Sequence, residues 1–240
     1  MFGGMFVPTL DIPGVVITAD GAPEIDPPGT KFTWIPSIGH RALAGLRPDE
    51  GRPRTGTVIY GGRLEPEKGV EVLLRAMALL SNRTELIIAG DGAERQRLEQ
   101  LARELGVHAR FVGVLEPTEL FELMRRCDVA GFPGLRGDGL PSFVVEALGA
   151  GIPVVGTDVG GIPRALEHGG GLLVPPGNPS ALAEGLQRLI QSDLPRHRRV
   201  ARRAYEERFT PARVVDQYLE CYVEALDRAQ ARRRVFRATL

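Results

Sequence analysis

With 240 residues, 43% of them hydrophobic and 25% charged, the chain has ordinary globular composition, enough for one large domain or two small ones with a real core. Lys and Arg total 30 and Asp and Glu total 30, so no global charge argues for nucleic acid or a strongly anionic partner. Pro8, Asp11 and Pro13 break what could have been a signal-peptide core, and no segment has the roughly 20 apolar residues of a membrane span; the expectation is a cytoplasmic protein. Cys127 and Cys221 lie far apart, and His40, His108, His168 and His197 show no ligand spacing. A reducing compartment, no disulfide and no metal site are expected. The basic residues are 28 Arg and only 2 Lys, which makes Lys68 stand out.

Residues 1–56 are rich in Gly and Pro, with short β-like runs at Gly14 to Thr18 and Lys31 to Ile35, and Asp49 to Gly56 reads as an exposed linker. From Thr57 the pattern is regular. Strands are expected at TVIYG, Glu85 to Ala89, Arg110 to Val112, Asp128 to Phe132, Pro153 to Gly156 and Gly171 to Val174. Between them lie helices near Lys68 to Leu80, Ala93 to Leu105, Pro117 to Arg126, Pro141 to Leu148 and Pro163 to Glu167. Three more helices come after them, Pro179 to Gln191, Pro195 to Arg208 and Pro211 to Arg234. Alternating helices with strands that are apolar throughout predict an α/β fold: a Rossmann-like parallel sheet flanked by helices, plus C-terminal helices. Ligands of such sheets bind beyond the carboxyl ends of the strands, so the loops after Tyr60, Ala89, Val112, Phe132 and Val155 hold the candidate site.

Three of these loops carry chemistry. In GGRLEPEKG, Arg63 and Lys68 are either a cationic pair suited to a diphosphate or a solvated pair with Glu65 and Glu67. In LIIAGDGAER a dinucleotide fingerprint fails, because its third small residue would fall on Arg95 and no acid follows at the required distance. The glycines Gly90 and Gly92 instead suit a tight loop against a ligand. In GLRGDGLPSFVVEALGAG, Pro141 is expected to open a helix whose first N–H groups, on Ser142, Phe143 and Val144, face the loop and favour an anion. Asp138 and Glu146 flank that helix start. They suit a hydrolase acid/base pair, a surface acid with an ordinary helix acid, or carboxylates that meet ligand hydroxyls. Glu146 is the only charge in an apolar run from Leu140 to Gly149, which favours the last of these.

GGRLEPEKGVEVLLRA, LIIAGDGAERQRLEQLARELGV, RFVGVL, CDVAGFP and DGLPSFVVEALGAGIPVVGTDVGGIPRAL, in this order, resemble the donor-binding C-terminal half of retaining GT-B glycosyltransferases of the family 4 type, over about Arg54 to Leu226. The resemblance implies a UDP- or GDP-type nucleotide-diphospho-sugar as donor, transfer of a hexosyl or related group with retention, and no metal or further cofactor. By that resemblance Arg63 and Lys68 neutralise the diphosphate, and Glu146, the second acid of E-x7-E, binds the ribose. Asp138 takes the place of the first acid, near the transferred sugar, with one methylene less than the family's Glu. Gly62, Gly90, Gly139, Leu140, Ser142 and Phe143 fall on donor-contact positions, and Val112 to Leu115 on the base pocket.

The same resemblance divides the chain into a remnant of an N-terminal acceptor domain with its linker (residues 1–53), a donor domain (54–208) and a bracing helix with tail (209–240). It implies an N-terminal-domain partner, or a second copy as a homodimer, docking on an apolar patch around Met1 to Val16 and the last helix. Three functions remain open: part of a longer transferase, an active assembly with a separate half, or a non-catalytic nucleotide-sugar-binding module. The Arg-rich stretches Arg196 to Arg203 and Arg228 to Arg237 read as solvated helix faces in preference to lipid-binding surfaces.

Overall fold

Runs that are apolar on both faces become interior strands, and the amphipathic runs between them become the helices that cover them. In the computed structural model of the chain, residues 15–18, 31–34, 40–46, 51, 55–80, 84–136 and 139–238 are described, with side chains within 40–227 apart from 41 and 44. Strands β1 (Val15–Thr18) and β2 (Lys31–Trp34) pair in parallel, Val15 opposite Lys31. A 3-10 turn, Arg41–Gly45, precedes the main α/β unit. That unit runs β3 (Thr57–Gly61), α1 (Val70–Ala78), β4 (Glu85–Ala89), α2 (Arg95–Glu104), β5 (Ala109–Gly113), α3 (Pro117–Arg125), β6 (Val129–Phe132), α4 (Ser142–Gly149), β7 (Val154–Thr157), α5 (Ile162–Leu166) and β8 (Gly171–Val174). Helices α6 (Pro179–Gln191), α7 (Leu194–Arg208) and α8 (Pro211–Ala238) complete it.

The six strands β3 to β8 form one parallel sheet in the order β5-β4-β3-β6-β7-β8. Helix α1 packs with α2 and α6, whereas α4 packs with α3, α5 and α7, so helices cover both faces. The strand order reverses between β3 and β6, whose outgoing loops lead to different faces of the sheet. A crevice therefore opens above their carboxyl ends. Val58, Ile59, Tyr60, Leu86, Ile88, Val129, Val154 and Val155 are buried in the core.

A carboxylate fastens the opposite end of this pair of strands. Asp128, just before β6, is fully buried, and its Oδ2 accepts the amides of Gly56 (2.7 Å), Thr55 (2.8 Å) and Thr57 (3.4 Å) and the Thr55 hydroxyl (3.3 Å). Its Oδ1 meets the Arg198 guanidinium at 3.3 Å, and the same guanidinium nitrogen donates to the Cys127 carbonyl at 2.9 Å. The last residues of the expected linker are thus tied to the sheet.

Arg198 and Arg202 also correct the reading of the α7 arginines as a solvated face, because both are buried. One nitrogen of Arg202 donates to Leu43 O (2.7 Å) and Gly149 O (2.6 Å), joining α7 to the 3-10 turn and to the carboxyl end of α4, while its Nε binds Glu206 at 2.7 Å. A helical wheel places every fourth residue on one face, and here that face carries two guanidiniums aimed at carbonyl groups.

On α8, Val214, Cys221 and Ala225 are buried, while Val215, Leu219, Tyr222, Val223 and Leu226 are exposed. The expected apolar patch is present on this helix; Met1 to Gly14 and the side chains of Val15 and Val16 lie outside the described residues. Among the described residues no helix is long and apolar enough to cross a membrane.

Candidate functional site

The loop from β3 to α1 is built by glycine and proline. After Gly61 the chain is pinned by Gly62 N–H to Ala89 O (2.9 Å) and Leu64 N–H to Asp91 O (2.9 Å). Pro66–Lys68 then form one 3-10 turn, and α1 starts only at Val70, two residues later than expected. The cause is Gly69, whose φ of 68° stops the turn and resets the helix; a Cβ there would also be driven into the Pro133 carbonyl oxygen. Lys68 therefore ends the turn before the helix instead of occupying the helix's first turn.

Gly90 is the second position where glycine is required. At φ 134° it lies so close to Gly62 that a Cβ would meet the Gly62 carbonyl oxygen, and its own N–H donates to Gly113 O at 2.7 Å. Gly62, Gly90 and Gly113 consequently stand side by side along the carboxyl edge of the sheet. That row brings the half-buried Val112 and Leu115 beside the loop that carries Arg63.

The second wall of the crevice comes from β6. Leu135 N–H donates to Glu67 O (2.9 Å), which ties the two loops together, and the buried Thr157 hydroxyl holds Gly134 O at 2.7 Å from β7. Gly161 N–H reaches Gly139 O at 3.4 Å, and a Cβ on Gly161 would touch Leu140, so the loop after β7 props the start of α4. Sequence reasoning gives no role to Glu67 O, Thr157 or Gly161. GTDVGG is the only signal, a Gly-rich turn after a strand.

Pro141 is corrected from the first helical residue to the residue before it. Its ψ of 128° is extended, and α4 begins at Ser142. Its carbonyl accepts the Val144 N–H at 3.0 Å, so that N–H does not face the loop as expected. The N–H groups of Ser142 and Phe143 have no acceptor among the described residues and stand at the positive end of the helix. Ser142 is exposed, Gly139 half-buried, and Leu140 and Phe143 buried. Asp138 lies outside the described residues.

Glu146, one turn into α4, has no hydrogen-bond partner for its carboxylate among the described residues, and burial alone pushes its pKa up to about 7. On the facing loop, burial pulls the Lys68 ammonium below its ordinary value and the nearby Arg63 charge pulls it further, against Glu67 and Glu65. Arg63 is 68% exposed and only loosely associated with Glu65, at 3.8 Å. Two neighbouring cations, a helix N-terminus and a desolvated carboxylate suit a ligand with anionic oxygens at one end and hydroxyls at the other. A cavity of ≈ 450 Å³ opens behind this loop, beside Gly69, Glu71, Arg75 and Arg97; its acids and bases are paired with one another, Arg97 to Glu71 at 2.7 Å.

A six-stranded parallel sheet with helices on both faces and a crevice at its switch point defines a Rossmann-like class of domain. A model of the family described as "Glycosyl transferases group 1" matches residues 46–207, and the chain belongs to that family. The phosphatidyl-myo-inositol mannosyltransferase of Mycobacterium leprae is 40% identical over 157 residues, 63% of this chain and 42% of that protein. A D-inositol 3-phosphate glycosyltransferase of Stackebrandtia nassauensis is 34% identical over 233 residues, 89% of this chain and 49% of that one. The chain thus spans less than half the length of these relatives. In three dimensions it is similar to Anabaena Alr3699/HepE in complex with UDP, with a TM-score of 0.72 and 24% identity over 82% of this chain and 59% of that one. This last likeness concerns the fold, which is that of one Rossmann-like half of a GT-B protein.

Proposed function

We propose that this chain is the donor-binding part of a cytoplasmic glycosyltransferase. It takes a UDP- or GDP-type nucleotide sugar and transfers the glycosyl group with retention when an acceptor-side domain completes the cleft. The observation that carries this reading is the convergence of Arg63 and Lys68, from the loop after β3, with the α4 N-terminus and the Glu146 carboxylate, which has no partner among the described residues, on the switch point of the sheet.

Each group has a physical task in this reading. Arg63 and Lys68 neutralise the diphosphate and stabilise the negative charge that grows on it as the glycosyl bond breaks. The Ser142 and Phe143 N–H groups add the positive end of the helix, with Gly139 and Leu140 leading into it. Glu146 accepts the two ribose hydroxyls, which replace the water its carboxylate lost on burial. Gly62 and Gly90 allow close approach to the backbone, and Val112 and Leu115 flank the base. Asp138 is assigned to the donor sugar on its motif position. Neither a metal nor a further cofactor takes part. Residues 1–53 and 209–240 flank the donor domain as acceptor-side segment and brace. The exposed apolar side of α8 supports a partner there, an acceptor-side half or a second copy.

A thermal-shift panel of UDP, GDP and their sugars tests the reading, since a ligand that binds only the folded state raises the melting midpoint. Stabilisation by one nucleoside diphosphate well above its nucleoside is expected; no response to any of them ends the donor-site assignment. Binding with no transfer, even with the acceptor-side half added, would favour a non-catalytic nucleotide-sugar-binding module.

A further inference from the structure

At the root of the crevice stands an aromatic cluster whose one polar atom has a definite target. Tyr60, near the end of β3, is fully buried, with its ring 6.0 Å from Phe132 at the end of β6 and 6.0 Å from Phe143 at the start of α4. Phe132 and Phe143 are 6.3 Å apart. The Tyr60 hydroxyl donates to the Arg63 carbonyl at 2.9 Å. Burial holds the phenol above its ordinary pKa, so this oxygen keeps its proton and remains a donor.

Packing alone would be served equally well by phenylalanine. The hydroxyl sits where the backbone needs it: Gly62 and Leu64 donate their N–H groups to Ala89 O and Asp91 O, and the Arg63 carbonyl between them receives Tyr60. With that bond, the peptide group from which the Arg63 side chain departs is fixed on both sides. The Arg63 side chain itself is exposed and among the described residues has only a 3.8 Å contact with Glu65, so its direction depends on its backbone.

We infer that Tyr60 is a positioning residue for the anion-binding loop, acting through the Arg63 backbone to aim the guanidinium at the diphosphate of a bound nucleotide. The inference rests on the donor-site reading above. The aromatic contact with Phe143 adds a consequence, since one ring cluster then aligns the cationic loop with the α4 N-terminus across the strand reversal.

The test is the Tyr60→Phe chain, titrated calorimetrically with UDP and GDP and with uridine and guanosine beside the parent. Loss of one net hydrogen bond that acts on the phosphates weakens diphosphate binding about fivefold and leaves nucleoside binding unchanged. Equal losses for nucleoside and diphosphate, or no loss, overturn the inference. Arg63→Ala gives a second readout: in that background Tyr60→Phe costs nothing further if it acts through the Arg63 side chain, and its full effect if it does not. A parent chain that binds neither nucleotide overturns the donor-site reading itself, an outcome distinct from any difference between the variants.

Discussion

The two ends of strands β3 and β6 use charge in opposite ways. At the amino end, Asp128 is saturated by three amides, a hydroxyl and a guanidinium. At the carboxyl end, Glu146 is half-buried with no partner among the described residues, Lys68 is held below its ordinary pKa, and two helix N–H groups lack acceptors among those residues. Burying a carboxylate is costly at either end. Where the cost is met internally the group is a fastening; where it is left open, a ligand can meet it. The contrast supports, without reference to any relative, the proposal that the carboxyl end is the working end of the sheet.

The sharpest way to break this comparison is to empty the fastening. Asp128→Ala leaves Arg198 buried beside three unsatisfied amides, and a loss of about 3–5 kcal/mol in unfolding free energy is expected, read by urea denaturation. A loss under about 1 kcal/mol would remove the distinction between the ends. Lys68→Ala should act chiefly on the ligand, weakening UDP or GDP binding about 10- to 100-fold by calorimetry, the range for a hydrogen bond to a charged group.

Glu146→Gln separates stability from binding at a single residue. Removing a desolvated charge should raise the melting midpoint of the unliganded chain by about 1–3 °C. At the same time the preference for a ribonucleotide over its 2′-deoxy analogue should shrink about tenfold. A variant that melts lower, or keeps the preference, contradicts the assignment of Glu146 to the ribose.

The remaining expected effect is in pH. The folded pKa of Glu146 lies above its ordinary value, about 7 against 4.5, so the folded state binds more protons between those values. Its contribution to stability is therefore fully present below about 4.5 and disappears as pH rises through about 7. Nucleotide affinity should move the other way, because the ionised carboxylate is the better acceptor of hydroxyl hydrogens. Melting curves and titrations from pH 5 to 8, flattened in Glu146→Gln, check both signs.

Local sequence carried much of the fold. Apolar runs such as TVIYG and ELIIA marked buried strands, and Gly90 and Gly92 marked a close approach of the backbone, whereas Gly69, which resets the start of α1, carried no such signal. Arg63, Lys68 and Glu146 were legible as chemistry because each is out of place by local rules: a basic pair beside a helix start, and an acid in an apolar run. Pro141 was misplaced by one residue, because its fixed φ of about −65° suits both the first helical position and the extended residue before it. Only ψ tells them apart, and ψ depends on how the α4 N-terminus packs against the loop after β7.

The tertiary structure alone decided the rest. Periodicity predicts a parallel sheet but not that β3 lies between β4 and β6, and the crevice exists only because of that order. Asp128 and Arg198 are 70 positions apart, and Arg202 reaches Leu43 across 159. Such side-chain bonds leave no repeat in the sequence, because a guanidinium on a helix is selected by the group it meets and not by its neighbours in the chain. The same holds for Tyr60, whose hydroxyl is indistinguishable from another buried aromatic tip until the Arg63 carbonyl is seen opposite it.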